Sequence, residues 1–119
     1  MKRKYLAVYI GTPNSADKKW APLSEADKKQ RTQDGIRLWG EWAQKYAQNI
    51  KDQGAPLGKT KLVNENGISD TKNALTGYTL IEAESHEEAA KMFLDHPHFK
   101  IFPGDSVEIV ECLPIPTGP

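Results

Sequence analysis

The segment Asp95-His96-Pro97-His98 is the densest group of side chains in this sequence that could carry out chemistry. An imidazole titrates near neutral pH and can exchange a proton with a bound substrate, so His98, and after it His96, are candidates for a general acid or base. Asp70 or Asp105 is then predicted to orient the ring. The structural alternative is that His96 ends a helix, where an imidazolium meets free carbonyls, and that His98 packs in a loop.

Two tryptophans, Trp39 and Trp42, lie at helical spacing, with Tyr46 one turn further on. Aromatic residues at such spacing usually belong to a hydrophobic core. The alternative is that the indoles form a flat apolar wall for a planar ligand, in the space between a helix and a sheet where pockets tend to form. In that case Tyr9 and Tyr78 are the predicted partners on the sheet.

Other reactive groups are few. His96 and His98 fall short of the three protein ligands typical of a catalytic zinc, so no metal is predicted. Cys112 is the single cysteine, which excludes a disulfide framework and a cysteine-based zinc cluster, and its apolar surroundings in the sequence predict a small core residue. The sequence has no phosphate-binding glycine loop, nucleotide fingerprint or nucleophilic serine motif, so no cofactor is predicted.

The composition limits the possible partners. The 119 residues carry 16 Lys and Arg against 16 Asp and Glu. This balance argues against a nucleic-acid groove or an anionic-membrane surface, since both need net positive charge. The apolar run at 5–10 is shorter than the ~7–15 residues of a signal peptide core, and no run approaches the ~20 residues of a membrane span. A cytoplasmic protein with one domain, residues 1–119, is therefore expected.

The first and last predicted strands are the most informative elements. Tyr5–Ile10 alternates so that both faces of the strand are apolar. Ser106–Leu113 again supplies apolar groups to both faces. One layer of helices covers only one face of a sheet, so the other face is expected to need a second cover.

Two helices are predicted between these strands. The first is expected to run from Ser24, an N-cap, to Asp52, with Gly54 as its C-terminal stop. The second is expected over Ser85–Asp95, because Ser85 is a good N-cap and Pro97 disfavours helical geometry at the residue before it.

The remaining segments predict strands and a tail. Leu57–Val63 is predicted as an edge strand, because three of its seven residues are Gly or Lys. Asn64–Gly67 is expected to form a tight turn, and Gly77–Ala83 a further strand. Residues 114–119 are expected to form an extended, proline-rich tail.

The order of elements defines a fold class. Strand, helix, strand, strand, helix, strand is typical of a ferredoxin-like α+β fold, βαββαβ, with an antiparallel sheet and both helices on one face. The apolar second face of the sheet predicts a twofold homodimer, in which two sheets pack about 10 Å apart.

One stretch of sequence has a family resemblance. TKNALTGYTLIEAES (71–85), followed by a helix, a proline and VEI (107–109), resembles the YCII-related family of small bacterial proteins, in the branch known for an Asp-Gly-Pro-Phe signature. KYLAVYI (4–10) and LWGEWAQ (38–44) add to the resemblance. It implies a dimeric α+β barrel and little about activity, because most members have no assigned reaction.

Two features depart from that family. The signature is absent, and residues 67–70 read Gly-Ile-Ser-Asp. Other members place a histidine in the first helix, suspected of acting with an aspartate, whereas this helix carries Trp39 and Trp42. A histidine–aspartate pair is therefore not transferred to this chain.

Two functions are compatible with the sequence. The first is a cofactor-free enzyme that acts on a small cyclic or enolisable compound by proton transfer, elimination or isomerisation, with His98 as the proton-handling group. The second is a noncatalytic dimer that binds a small ligand or has a structural role. The enzyme needs a histidine in the pocket with a hydrogen-bonded carboxylate, whereas the binding module needs only an apolar cavity.

Overall fold

The computed structural model describes residues 2–13 and 18–117. The strands and helices bounded there are, in chain order, β1 (Arg3–Ile10), α1 (Glu25–Lys45), β2 (Ile50–Pro56), β3 (Thr60–Asn64), β4 (Gly67–Thr71), β5 (Leu75–Ala83), α2 (His86–Lys91), α3 (Pro97–Lys100) and β6 (Ser106–Glu111).

Four strands form one antiparallel sheet in the order β2-β5-β1-β6. β3 and β4 pair with each other in a separate ribbon, which is inserted between β2 and β5. The four sheet strands, with α1 after the first and α2 after the third, have the ferredoxin-like order. The predicted α+β fold class is therefore confirmed.

The core lies on one face of this sheet because side chains alternate along each strand. Alternate residues of β1 and β5 are buried beneath α1 and α2. The buried apolar residues are Tyr5, Ala7, Tyr9, Ile81, Ala83, Ala89, Met92 and Phe93. The outer face of β1 carries Leu6, Val8 and Ile10, which are only half-buried. Both faces of β1 are thus apolar, as predicted.

Helix α1 begins where the sequence predicts but ends earlier. The Ser24 hydroxyl accepts a hydrogen bond from the Asp27 N–H at 3.1 Å, which caps the first turn. The helix ends at Lys45, and the prediction that it reaches Asp52 is wrong. Asn49 is tied to β5 instead, because its backbone carbonyl accepts from the Glu82 N–H at 2.7 Å.

Gly54 lies within β2, so the prediction that it stops the first helix is wrong. Its φ of +72° belongs to the left-handed region, which an L-residue rarely adopts. A Cβ at this position would lie 1.8 Å from the carbonyl oxygen of Tyr78 on the neighbouring strand. The register of β2 and β5 shifts at this point, so Gly54 lets the edge strand bulge and still stay paired.

We call the ribbon of β3 and β4 the arm. The prediction that Leu57–Val63 joins the main sheet is wrong, because among the described strands Thr60–Asn64 pairs with Gly67–Thr71 alone. The predicted turn at 64–67 is confirmed, since it connects these two strands. Most of the arm is exposed, and Lys61 forms an ion pair there with Asp70.

The second helix is also shorter than predicted. The Ser85 hydroxyl caps α2 as expected, but α2 ends at Lys91 and not at Asp95. Asp95 has a φ of +59°, in the left-handed region, so the right-handed helix cannot continue through it, and a new short helix follows with Pro97 in its first turn. His96 is therefore the N-cap of α3, and the prediction that it ends the preceding helix is wrong.

The last strand ends at Glu111 and not at Leu113. Cys112 lies beyond it and is exposed, so its prediction as a core residue is wrong. The outer face of β6 carries Glu108 beside Val110, which makes it less apolar than predicted. Residues 114–117 have no regular secondary structure, and residues 118–119 of the predicted tail lie outside the described part of the chain.

The bulge in β2 generates a prediction. We expect Gly54→Ala to lower the free energy of unfolding by about 2 kcal/mol or more, because it forces a strained φ and a clash with Tyr78. Denaturant unfolding measures this change. Gly58→Ala is the control, since a Cβ there meets nothing within 4 Å, and it should stay within ~0.5 kcal/mol of wild type. Equal effects of the two substitutions would contradict this role of Gly54.

Candidate active site

A cavity of about 860 Å³ opens between α1, the β2–β5 edge of the sheet and α3. Its walls are mostly apolar and aromatic, and no Asp, Glu, Lys or Arg is among the described residues that line it. The lining residues are Tyr9, Ile36, Trp39, Gly40, Ala43, Gln44, Ala47, Gln53, Gly54, Ala55, Pro56, Thr76, Gly77, Tyr78, His98 and Phe102. A cavity of this size and character is suited to a small uncharged ring compound.

His98 is held at this cavity by a hydrogen bond from its ring to the end of β1. Its Nε2 lies 2.8 Å from the carbonyl oxygen of Ile10. A carbonyl can only accept, so Nε2 carries the proton, and Nδ1 of the neutral ring is the nitrogen able to take one. The same carbonyl accepts the Asp105 N–H at 2.9 Å, so strand β1, helix α3 and the residue just before β6 meet at one oxygen.

The surroundings of His98 favour the neutral ring. Burial lowers the pKa of His98 most strongly, and the positive charge of Lys19 acts in the same direction. The backbone groups of Ile10 and Ser106 and the carboxylate of Asp105 partly oppose this by favouring the imidazolium. His98 is therefore a neutral base at neutral pH, in surroundings that still offer some stabilisation to a positive charge.

Gly104 packs directly against the His98 ring. A Cβ at this position would lie 2.3 Å from the Cε1 and Nε2 atoms of the imidazole. The Gly104 N–H also donates to the His98 carbonyl at 3.0 Å. Only glycine leaves room here for the ring to reach Ile10.

His96, two residues before, has a different environment. It is 1 % exposed and enclosed by aromatic rings, with ring centroids at 4.4 Å from Trp39 and 4.7 Å from Trp42. Its Nδ1 accepts the His98 N–H at 3.0 Å, while its Nε2 has no hydrogen-bond partner among the described residues. Burial, with a smaller contribution from His98, lowers the pKa of His96 to about 3. His96 thus fixes the backbone of His98 and stays uncharged at neutral pH.

Tyr9 forms part of the cavity wall and keeps its proton. The Thr79 hydroxyl donates to the Gln53 carbonyl at 3.1 Å, so Tyr9 donates to Thr79 at 2.8 Å. Burial raises the pKa of Tyr9 to about 12, although the bond to Thr79 acts in the opposite direction. The Tyr9 ring lies 4.9 Å from Trp39 and 5.3 Å from His98, centroid to centroid.

The structure separates the remaining predicted site residues. Trp39 and Tyr78 line the cavity together with Tyr9 and His98. Trp42 does not line it; this indole packs against His96 in the core, and its Nε1 donates to the Met92 carbonyl at 2.7 Å.

Asp70 is not brought to His98. It lies on the arm, where its exposed carboxylate pairs with Lys61. Asp105 is the carboxylate whose charge reaches His98, although the ring donates to a backbone carbonyl and not to a carboxylate. Within residues 2–13 and 18–117, no group of three or more His, Cys, Asp or Glu side chains is placed to hold a metal ion.

Sequence reasoning missed several residues that line the cavity or pack against its walls. Phe102 packs beneath α1, where a Cβ on Gly35 would lie 2.5 Å from its ring. Gly40 lies at the cavity wall, and a Cβ added to it would have no atom within 4 Å. Gly104 supports His98 from behind. The sequence signals for these contacts were glycines at positions where glycine is uncommon: two lie within the first helix and one lies just before the last strand.

Comparison with known proteins gives one informative result. No protein-family model matches the chain. No curated protein matches its sequence. A solved structure of 5-chloro-2-hydroxyhydroquinone dehydrochlorinase from Burkholderia phenoliruptrix AC1100, in complex with 2,5-dihydroxybenzoquinone, is similar with a TM-score of 0.52 and 16% identity over 89% of each chain. At this identity the similarity supports the fold.

No described helix of the protein is long and apolar enough to cross a membrane.

The buried His96 predicts a pH-dependent stability. The unfolded chain binds a proton at His96 near pH 6.5, whereas the folded chain binds it only near pH 3. The unfolded state therefore holds more protons between these values, so stability is lost as the pH falls, with a slope approaching ~1.4 kcal/mol per pH unit. We expect His96→Asn, whose amide oxygen can still cap α3, to flatten this slope in denaturant unfolding between pH 4 and pH 6.5.

Phe93→Leu provides the control, because it disturbs the buried aromatic cluster around His96 without removing a titratable group. This variant should keep the wild-type slope. A His96→Asn protein with the full wild-type slope would show that another group causes the loss of stability in acid.

Proposed function

We propose that this protein is a cofactor-independent enzyme that transfers a proton on a small planar organic compound. His98 is the general base and then the general acid. The observation that carries the proposal is a neutral imidazole with a fixed tautomer at the wall of an uncharged, aromatic cavity.

The chemical step follows from the tautomer. Nδ1 of His98 accepts a proton from a C–H next to a carbonyl, or from a ring O–H, and the electron pair left behind is delocalised over the substrate. The imidazolium is stabilised by the carboxylate of Asp105 and the carbonyl of Ile10, while burial opposes it. The ring therefore returns its proton readily. Return to a different atom isomerises the substrate, and loss of a leaving group from the anion completes an elimination.

The cavity supports a cyclic, uncharged substrate. Trp39, Tyr9 and Phe102 offer aromatic surfaces against which a ring can pack. The dehydrochlorinase that shares this fold was solved with 2,5-dihydroxybenzoquinone, a planar hydroxylated ring. That likeness supports hydroxylated or enolisable ring compounds as the first substrates to test.

The second candidate function is a noncatalytic binding module. One observation favours it: the His98 ring donates to a backbone carbonyl, so no carboxylate is hydrogen-bonded to Nε2. In this role, Nδ1 of the ring serves as a hydrogen-bond acceptor for a hydroxyl group of the bound ligand. The cavity would then bind the same class of ligand without changing it.

We also propose that two copies associate through the outer face of the sheet, as in a dimeric α+β barrel. Leu6, Val8 and Leu80 form neighbouring apolar positions on that face, and Val110 beside them is 48% exposed. A second sheet of the same kind would remove these side chains from water.

The sequence resemblance supports membership of the YCII-related family, and the free thiol of Cys112 is compatible with a cytoplasmic location.

The enzymatic role of His98 is tested by His98→Gln. We expect turnover of a hydroxylated quinone or cyclic 1,3-diketone, followed by absorbance, to fall by at least ~10²-fold, because the proton acceptor is lost. His86→Gln is the control and should retain wild-type turnover. Equal turnover by the His98→Gln protein would refute the proposed role of His98.

The same ligand panel separates the two functions through quenching of tryptophan fluorescence. Wild-type protein that binds a ligand in the cavity but converts none of the panel would favour the binding module. Gly40→Phe is expected to weaken that binding at least tenfold, since a side chain there enters open cavity space, while Gly40→Ala should retain it.

The proposed dimer generates a prediction about mass in solution. Size-exclusion chromatography with light scattering should give twice the chain mass of 13.3 kDa at micromolar concentration. Val110→Lys places a charge in the proposed interface and should shift the protein towards the monomer. Leu94→Lys is the control, because Leu94 is 72% exposed on the helical side of the sheet. A monomeric wild-type protein would contradict the proposed interface.

A further inference from the structure

We infer that Lys19 is a positioning residue for His98, because its ammonium group fastens the loop that packs behind the imidazole. This inference rests on the proposed function only in taking His98 as the proton-handling group. We call residues 101–105 the backing loop.

The ammonium group of Lys19 contacts two backbone carbonyls, one just before the backing loop and one within it. Its Nζ donates to the Phe99 carbonyl at 3.2 Å and to the Gly104 carbonyl at 2.5 Å. These acceptors are 80 and 85 residues away in the sequence, so the contact joins two distant segments. One side chain therefore bridges the end of α3 and the residue just before Asp105.

Gly104 transmits this contact to His98. It touches the imidazole so closely that a Cβ would lie 2.3 Å from Cε1, and its N–H donates to the His98 carbonyl at 3.0 Å. The next residue, Asp105, donates its N–H to the Ile10 carbonyl that also accepts from the His98 ring. A shift of Gly104 would therefore change both the space for the ring and its hydrogen bond.

The neighbouring residue holds the same loop at a different place. The Trp20 indole donates to the Ile101 carbonyl at 3.2 Å and lies against Phe102, with 6.1 Å between ring centroids. Trp20 therefore secures the start of the backing loop, which borders the cavity through Phe102. Lys19 secures its end, next to His98.

The charge of Lys19 acts on a quantity that can be measured, the pKa of His98. Two charged groups act on His98 from the elements packed around it, Lys19 and Asp105, and His98 in turn lowers the pKa of the neighbouring His96. Lys19 opposes the imidazolium, whereas Asp105 favours it. Removing the ammonium is expected to raise the pKa of His98, and arginine can replace both the charge and the donors to the two carbonyls.

The test is an NMR titration of the His98 ring in the free protein, comparing wild type with Lys19→Met, Lys19→Arg and Lys18→Met. We expect Lys19→Met to raise the His98 pKa by about 0.5 or more, and to change the ring nitrogen shifts. Lys19→Arg should keep values near wild type. Lys18→Met removes the adjacent exposed lysine and should have no effect.

An unchanged His98 titration in Lys19→Met would overturn the inference, and so would a Lys19→Arg protein that titrates like Lys19→Met. If Lys19→Met does not fold by circular dichroism, Lys19→Gln takes its place in the same comparison. The measurement needs no substrate, so its failure leaves the proposed function standing. Failure of the His98→Gln experiment, conversely, leaves the contact between Lys19 and the backing loop unaffected.

Discussion

The hydrogen bond from the His98 ring to the Ile10 carbonyl is the interaction on which the candidate site depends. It joins helix α3 to the end of β1, at the oxygen that also accepts the Asp105 N–H. Because a carbonyl cannot donate, this single contact fixes the tautomer of the imidazole. It also places the ring at the cavity wall, where Gly104 leaves just enough room behind it.

Two histidines that are close in sequence therefore have different roles. His96 is sealed among aromatic rings and serves as the N-cap of α3, so its imidazole contributes structure. The backbone N–H of His98 is held by the His96 ring, and the His98 side chain borders a cavity large enough for a ligand. Burial keeps both rings neutral, but only His98 lines the cavity and has charged neighbours of both signs. The fold thus uses one imidazole to position the other.

The sequence predicted what local patterns encode. The Ser24 cap follows from neighbouring residues, and His98 is a candidate site residue on its residue type alone. The end of α1 could not be predicted, because Ile50 fits the helical period and also fits a strand that pairs with β5. Gly54 has the same ambiguity, since a left-handed glycine serves a helix stop or a β-bulge equally well. The contacts of Lys19 with the Phe99 and Gly104 carbonyls join segments 80 and 85 residues apart, which no local pattern reveals.

The measurement that tests the central claim most directly is the tautomeric and charge state of His98 in the ligand-free protein. Long-range ¹H–¹⁵N correlation spectra of the imidazoles, assigned with a His98→Gln sample, distinguish the three possible states of the ring. The predicted result at pH 7 is a neutral ring with its proton on Nε2. A protonated ring, or a neutral ring with its proton on Nδ1, would contradict the bond to Ile10 and the site built on it.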